Sequence, residues 1–306
     1  MILVTGARGQ IGSGLVNRLK KRNIETISMI RSPDFSAGKN EWSGDLCRID
    51  HIKKMEDIAD VPDVVIHLAG FIGIVLKKDN KNFQNIPVPD NENIHEIYSN
   101  NVISTANILQ YCIDKKVRHL IFASSQTVYG IPSSPIVSEG SPLRPLEHYA
   151  LSKAICENIL KFAEKENISV TILRFPGIYS EKRKSGAVYT FCKNALSKKE
   201  IQVTSDIPIP FDIIHLEDIL NALECVILHP PDGFEIFNIA TGEPCSLTIL
   251  ADAVASLVPE CHVVHSETPQ PVIQLDSTKA FRVLGWRSVP RAVRLQSMLD
   301  AIRHDG

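Results

Sequence analysis

Met1-Ile2-Leu3-Val4-Thr5-Gly6-Ala7-Arg8-Gly9-Gln10-Ile11-Gly12 opens the chain and decides how the rest is read. Apolar residues run straight into Thr5 and a glycine cluster, and a helical pattern follows over 10–22. A strand, a tight turn and a helix N-terminus in that order form the arrangement that holds a dinucleotide pyrophosphate. One glycine permits the turn, one lets the backbone approach phosphate, and one lets helix and strand pack closely. The spacing is Gly-x-x-Gly-x-x-Gly rather than Gly-x-Gly-x-x-Gly, and an ordinary glycine-rich turn between strand and helix would look much the same. Its place at the first strand favours the cofactor reading.

Downstream, short apolar runs at 25–30, 63–69, 119–125 and 169–175 alternate with amphipathic stretches at 51–58, 94–114 and 149–166. Strands that are apolar throughout, instead of alternating, are buried on both faces, which implies a parallel sheet covered by helices on each side. The expected fold is therefore α/β, a Rossmann-type doubly wound parallel sheet. Residues 1–175 would form the dinucleotide-binding domain, with a return strand near 236–240. Residues 176–306, punctuated by prolines from Pro208 to Pro271, would form a smaller substrate-binding lobe interleaved with the first. Ligands should bind in the crevice outside the carboxyl ends of the strands.

Composition excludes several classes. A net charge of −2 over 306 residues suits neither a nucleic-acid surface nor an acidic tail. No apolar run approaches the ~20 residues of a membrane span. The first residues read as a core strand and not as a signal peptide, so a cytoplasmic location is expected. Seven cysteines, at 47, 112, 156, 192, 225, 245 and 261, are scattered without a Cys-x-x-Cys pair, which fits reduced thiols. None of the ten histidines has metal-ligand spacing, so no metal is expected. His67 reads as a core residue, His148 as a loop residue and His215 as a structural residue before the helix start at Glu217-Asp218.

The second strand ends in Ile30-Arg31-Ser32 where an NAD site would place an acidic residue for the ribose 2′-hydroxyl. A cation and a hydroxyl suit a 2′-phosphate, so the site favours NADP, with NAD as the alternative and a solvent-facing Arg31 as the bland reading. Asp45-Leu46 then offers a carboxylate either to the adenine amino group or to a turn.

Chemistry-bearing residues come in the middle. Ser124-Ser125-Gln126-Thr127-Val128-Tyr129-Gly130 follows an apolar strand, so its hydroxyls emerge at the sheet's carboxyl end. Tyr149 and Lys153 open a helix four residues apart, on one face. An ammonium beside a phenol lowers its pKa from about 10 towards neutrality. Tyr149 could then exchange a proton with a substrate oxygen while a nicotinamide exchanges a hydride, with Ser125 holding the same oxygen.

This combination resembles the extended short-chain dehydrogenase/reductases, NAD(P)-dependent epimerases, dehydratases and reductases of nucleotide sugars. Nearly the whole length takes part: Thr5 with Gly6, Gly9 and Gly12; Asp45-Leu46; His67-Leu68-Ala69-Gly70; Asn101; Ser124-Ser125 through Val128-Tyr129-Gly130; Tyr149 and Lys153; Arg174 with Tyr179; His215 to Ile219; Phe237-Asn238-Ile239; and Ser277 to Trp286. The resemblance implies Ser125, Tyr149 and Lys153 as catalytic residues. It extends the cofactor-binding set to Arg8, Gln10, Ile11, Leu68, Ala69, Gly70, Asn101, Phe175 and Gly177, beside Arg31, Ser32 and Asp45. It places Phe71, Gln126, Thr127 and Gly177 next to the substrate. It also implies a homodimer through the helices near 94–114 and 149–166.

Departures from the family pattern narrow the chemistry. The Asp-Glu pair that performs elimination in the family's 4,6-dehydratases is Gln126-Thr127 here, so dehydration is disfavoured. Reduction of a 4-keto sugar is the favoured reading. A 4-epimerase with tightly held NAD and a non-catalytic dinucleotide sensor are the alternatives. A diphosphate-binding asparagine of many relatives is Gly177, and an arginine before 211–215 is missing, with Ile209-Pro210 standing there. Lys182, Arg183, Lys184, Arg287 and Arg291 are candidate replacements. The long polar connection over 71–99 is expected to be a flap over the substrate.

Overall fold

A computed structural model describes residues 1–58, 60–72, 93–203, 211–265 and 271–305. Strands β1 (Ile2–Thr5), β2 (Thr26–Arg31), β3 (Ser36–Ala37), β4 (Glu41–Gly44), β5 (Val64–His67), β6 (His119–Ser125), β7 (Ile136–Val137) and β8 (Ser169–Phe175) alternate with helices α1 (Gln10–Lys21), α2 (Ile49–Glu56), α3 (Ile94–Tyr98), α4 (Ser104–Asp114) and α5 (His148–Lys161). Next come β9 (Gly177–Tyr179), α6 (Ala187–Lys198), β10 (Glu200–Gln202), β11 (Ile213–His215), α7 (Leu216–Leu228), β12 (Phe234–Asn238), α8 (Leu247–Ser256), β13 (His262–Val264), β14 (Gln274–Leu275), α9 (Thr278–Leu284) and α10 (Arg291–Asp305). The main sheet has eight strands in the order β12-β8-β6-β5-β1-β2-β4-β3, parallel except for the antiparallel edge strand β3. The return strand expected near 236–240 is β12, beside β8.

Successive side chains of each buried strand point to opposite faces. Ile2, Val4, Ile66 and Ile121 enter the layer covered by α1, α7 and α9, whereas Leu3, Val65, Leu120 and Phe122 enter the layer of α2, α4 and α5. The smaller lobe has its own core of Phe191, Leu250, Val254, Leu295 and Met298. Ile219, Leu223, Leu284 and Trp286 lie beyond residue 175 in the chain, yet they pack on the first core and not on that of the lobe.

The chain runs outward from β1 through β2 to β4, then returns to the other side of β1 with β5. That reversal opens a crevice at the carboxyl ends. Thr5 pairs with both Met29 and His67, and Ser125 with Phe175, so the glycine turn, Arg31, Leu68–Gly70 and the Ser125 turn all emerge at one edge.

The helix expected over 94–114 is interrupted by a wider turn at Ser99–Ile103. There Ser104 Oγ and Thr105 Oγ1 donate to the carbonyls of Asn100 and Asn101, at 2.5 and 2.6 Å, and compete with the ordinary helical ladder. Residues 73–92 of the expected flap lie outside the described residues, as do Ile209 and Pro210. Among the described residues no helix is long and apolar enough to cross a membrane, and no group of three His, Cys, Asp or Glu side chains converges.

Candidate active site

The Gly6 turn is closed by packing that admits no Cβ. Gly6 has φ +64°, and a Cβ on Gly12 would lie 2.2 Å from Gly6 O. Helix α1 thus begins hard against the turn, its cap residue Gly9 offers no side-chain cap, and its first turn carries no acidic residue. Uncapped N–H groups at a helix start suit an anion, so a pyrophosphate fits here.

From this turn a cleft extends past Ala7, Arg8 and Gly9, along Met29, Ile30 and Arg31, over Gly44–Cys47, and back to Leu68–Phe71. It contains Gly6, Arg8, Gly9, Arg31, Asp45, Leu46, Leu68, Ala69, Gly70 and Phe71 of the expected contacts. Other expected contacts are placed elsewhere. Gln10 Nε2 donates to Ser180 Oγ, Ile11 packs against the first core, and Phe175 is part of that core. Ser32 Oγ accepts from Asp34 N, so its hydroxyl shapes the turn. Asp45 Oδ1 accepts from Cys47 N at 3.0 Å, the turn role that the sequence left open. Gly177 is exposed on β9, outside the cleft. Met29, Ile30, Gly44, Cys47, Asn100 and Ser104 line the cleft without having been expected. Asn100 reaches it from the widened turn and Ser104 from the first residue of α4, which no spacing rule announces.

Asn101 clamps the Phe71 backbone. It is 1% exposed, accepts from Phe71 N at 2.7 Å, and donates to Phe71 O and Ser152 Oγ. A directed hydrogen-bond chain supports it. Thr105 donates to Asn101 O, so it must accept from His67 Nε2; burial holds the pKa of His67 down to about 3, and its Nδ1 accepts from Thr5 Oγ1. Thr5 in turn accepts from Ala69 N. The core reading of His67 holds, with the added role of joining β1 to Asn101.

Gly70 ends the cleft. A Cβ there would lie 3.3 Å from both Lys153 Nζ and Asn101 Oδ1. Lys153 Nζ donates to Ala123 O at 2.8 Å and sits 4.6 Å from the Phe122 ring centroid and 6.0 Å from that of Tyr149. Ser125 Oγ accepts from Thr127 N and Thr127 Oγ1, so its own proton serves the hydrogen bond with Tyr149. The site therefore places Ser125, Tyr149 and Lys153 together at the inner end of the cleft.

The expected lowering of the Tyr149 pKa is overturned. Burial pushes this phenol up to about 12, only partly opposed by the hydrogen bond with Ser125. Lys153 is itself lowered to about 8 by burial, and its amine is engaged by Ala123 O. At neutral pH Tyr149 is a proton donor.

The candidate phosphate grips fare differently. Arg291 is 4% exposed, donating to Pro244 O and Thr241 Oγ1, and Arg287 stacks 3.7 Å from the Phe281 ring centroid. Arg183 donates to Ile178 O. Lys182 and Lys184 lie exposed.

A family model described as "NAD dependent epimerase/dehydratase family" matches residues 2–240. The chain belongs to that family. A putative UDP-glucose 4-epimerase of Methanocaldococcus jannaschii is 29% identical over 264 residues, 83% of this chain and 81% of that protein. A dTDP-4-dehydro-6-deoxyglucose reductase of Escherichia coli is 28% identical over 306 residues, 94% and 92% of the two chains. Among solved structures, MoeE5 in complex with UDP-glucuronic acid and NAD superposes with a TM-score of 0.74 at 24% identity, covering 100% of this chain and 99% of that one. UDP-glucose 4-epimerase of Thermotoga maritima gives a TM-score of 0.76 at 21% identity, covering 99% of each chain. The protein is thus an extended short-chain dehydrogenase/reductase enzyme, of the kind that comprises nucleotide-sugar epimerases, reductases and dehydratases.

Proposed function

We propose that this family member reduces a keto carbon of a nucleotide-activated sugar, with NADPH as the preferred reductant. The observation that carries this reading is the Tyr149 phenol, kept in its acid form by burial and hydrogen-bonded to Ser125, at the inner end of the cleft. A bound dinucleotide would supply the hydride. Ser125 orients the substrate carbonyl oxygen, and Tyr149 delivers a proton to it. Gln126 Oε1 is buried without a hydrogen-bond partner and suits a substrate hydroxyl, whereas Gln126 and Thr127 cannot ionise to eliminate water. Conversion of a nucleoside diphosphate 4-keto sugar with stoichiometric loss of NADPH tests the proposal. Stoichiometric NAD released from the denatured protein, with interconversion of 4-hydroxy epimers, would replace it by the epimerase reading.

Cofactor preference rests on Arg31 and Arg8, which both line the cleft, while Ile30 stands where an acidic residue would repel a phosphate. Arg31→Asp should weaken NADPH binding by about 10–100-fold and strengthen NADH binding, read by fluorescence titration of each. Equal affinities in native protein and variant would leave Arg31 with no part in cofactor choice.

We further propose a homodimer through the segments 94–114 and 149–166, which expose Ile103, Leu151 and Phe162 at 47, 40 and 63%. Leu151→Asp is expected to give monomers by light scattering where the native protein gives dimers. A native monomer would refute this pairing.

A further inference from the structure

Behind the catalytic residues lies a charged network that the proposed chemistry does not use. Glu157 follows Lys153 by one turn of α5 and is 4% exposed. Its carboxylate accepts from Ser124 Oγ at 2.5 Å and from Arg174 Nε and Nη2 at 3.0 and 2.6 Å. Arg174, 2% exposed on β8, donates onward to Tyr129 Oη at 2.8 Å, and Tyr129 donates to Asn238 Oδ1 on β12 at 2.7 Å. Ser124 is the chain neighbour of Ser125, and Tyr129 closes the turn that Ser125 caps. One carboxylate therefore joins the catalytic helix, the catalytic turn and the strand leading to Gly177.

We propose that Glu157 is a positioning residue for the reaction, locking the Ser125 turn in register with the Tyr149–Lys153 helix and keeping an anion behind the Lys153 ammonium. It rests on the reading that these three residues carry the chemistry. A buried ion pair is expensive to desolvate and is often replaceable by apolar residues without loss of stability, so stability alone gives no reason to keep one here. Its placement against Ser124 and one turn from Lys153 does. Burial drives the Lys153 amine down, and Cys156 and the Glu157 carboxylate oppose that fall. Without the carboxylate, Lys153 would discharge at lower pH.

The test needs no substrate in its first arm. In protein labelled at lysine Cε with ¹³C, one resonance absent from Lys153→Arg should titrate near pH 8, and in Glu157→Gln its midpoint should move to lower pH. Should Arg174 without its anion prevent folding, the Ser124 variants of the second arm carry the test alone. A midpoint unmoved in a folded variant overturns the proposal. In the second arm, Ser124→Ala should lower turnover of the keto sugar by about 10-fold through misplacement of the turn, with cofactor affinity retained, and Ser124→Thr should restore it. Native turnover by Ser124→Ala would also overturn it. The first arm holds even if the enzyme proves not to be a reductase, so the two readings fail separately.

Discussion

Tyr149→Phe is expected to lower turnover by about 10²–10⁴-fold while leaving cofactor affinity close to native. The substitution removes one oxygen and keeps the ring that packs beside Lys153. Ser125 retains its two bonds from Thr127, so the turn stays in place and the substrate oxygen keeps one donor. Only the phenolic proton is lost. Single-turnover oxidation of bound NADPH, followed by fluorescence, separates this from a binding defect. Native rates in the variant would remove Tyr149 from the chemistry. A large loss of cofactor affinity would instead mean that the phenol helps to hold the dinucleotide.

Gly12→Ala should be nearly as damaging for a different reason. Its Cβ would lie 2.2 Å from Gly6 O and 2.9 Å from Ala7 Cα, both backbone atoms of the phosphate turn. Neither can move without opening the turn. Overpacking of this kind costs about 3 kcal/mol, a fall in Tm of roughly 5–10 °C, and the displaced turn should abolish measurable dinucleotide binding. Gly14→Ala is the control on the same helix. Its Cβ would meet the Leu220 Cδ1 methyl at 2.8 Å, a side-chain end that can rotate away, and alanine favours the helix by about 1 kcal/mol. Near-native melting and binding are expected for Gly14→Ala. If Gly12→Ala behaved likewise, the tight strand-to-helix packing would not be what the site requires.

Much of this architecture was legible because parallel strands are apolar on both faces. Leu3, Val65 and Leu120 signal one layer, Ile2, Ile66 and Ile121 the other, and no other arrangement hides both sets. The Gly6 turn and the Tyr149–Lys153 pair were legible because local geometry fixes them. What escaped depends on distant partners. The role of Asn101 is set by Phe71 and Ser152, far from it in sequence, and the spacing rules carry no trace of either. The Tyr149 pKa was misjudged because adjacency on a helix says nothing about burial, which raises the phenol further than the Ser125 hydrogen bond lowers it. Arg291 looked available in sequence, but the lobe buries it against the carbonyl of Pro244.

The cover that α7 and α9 give the first sheet bears on how the protein is made. A ribosome that has delivered residues 1–175 has released the glycine turn together with Ser125, Tyr149 and Lys153. One face of their sheet still lacks Ile219, Leu223, Leu284 and Trp286, and its outer strand β8 still lacks β12. Such an intermediate presents an apolar face and an unpaired edge, the two features that recruit chaperones or other nascent chains. Completion of the cofactor domain waits for almost the last helix, so synthesis of the two lobes cannot be decoupled.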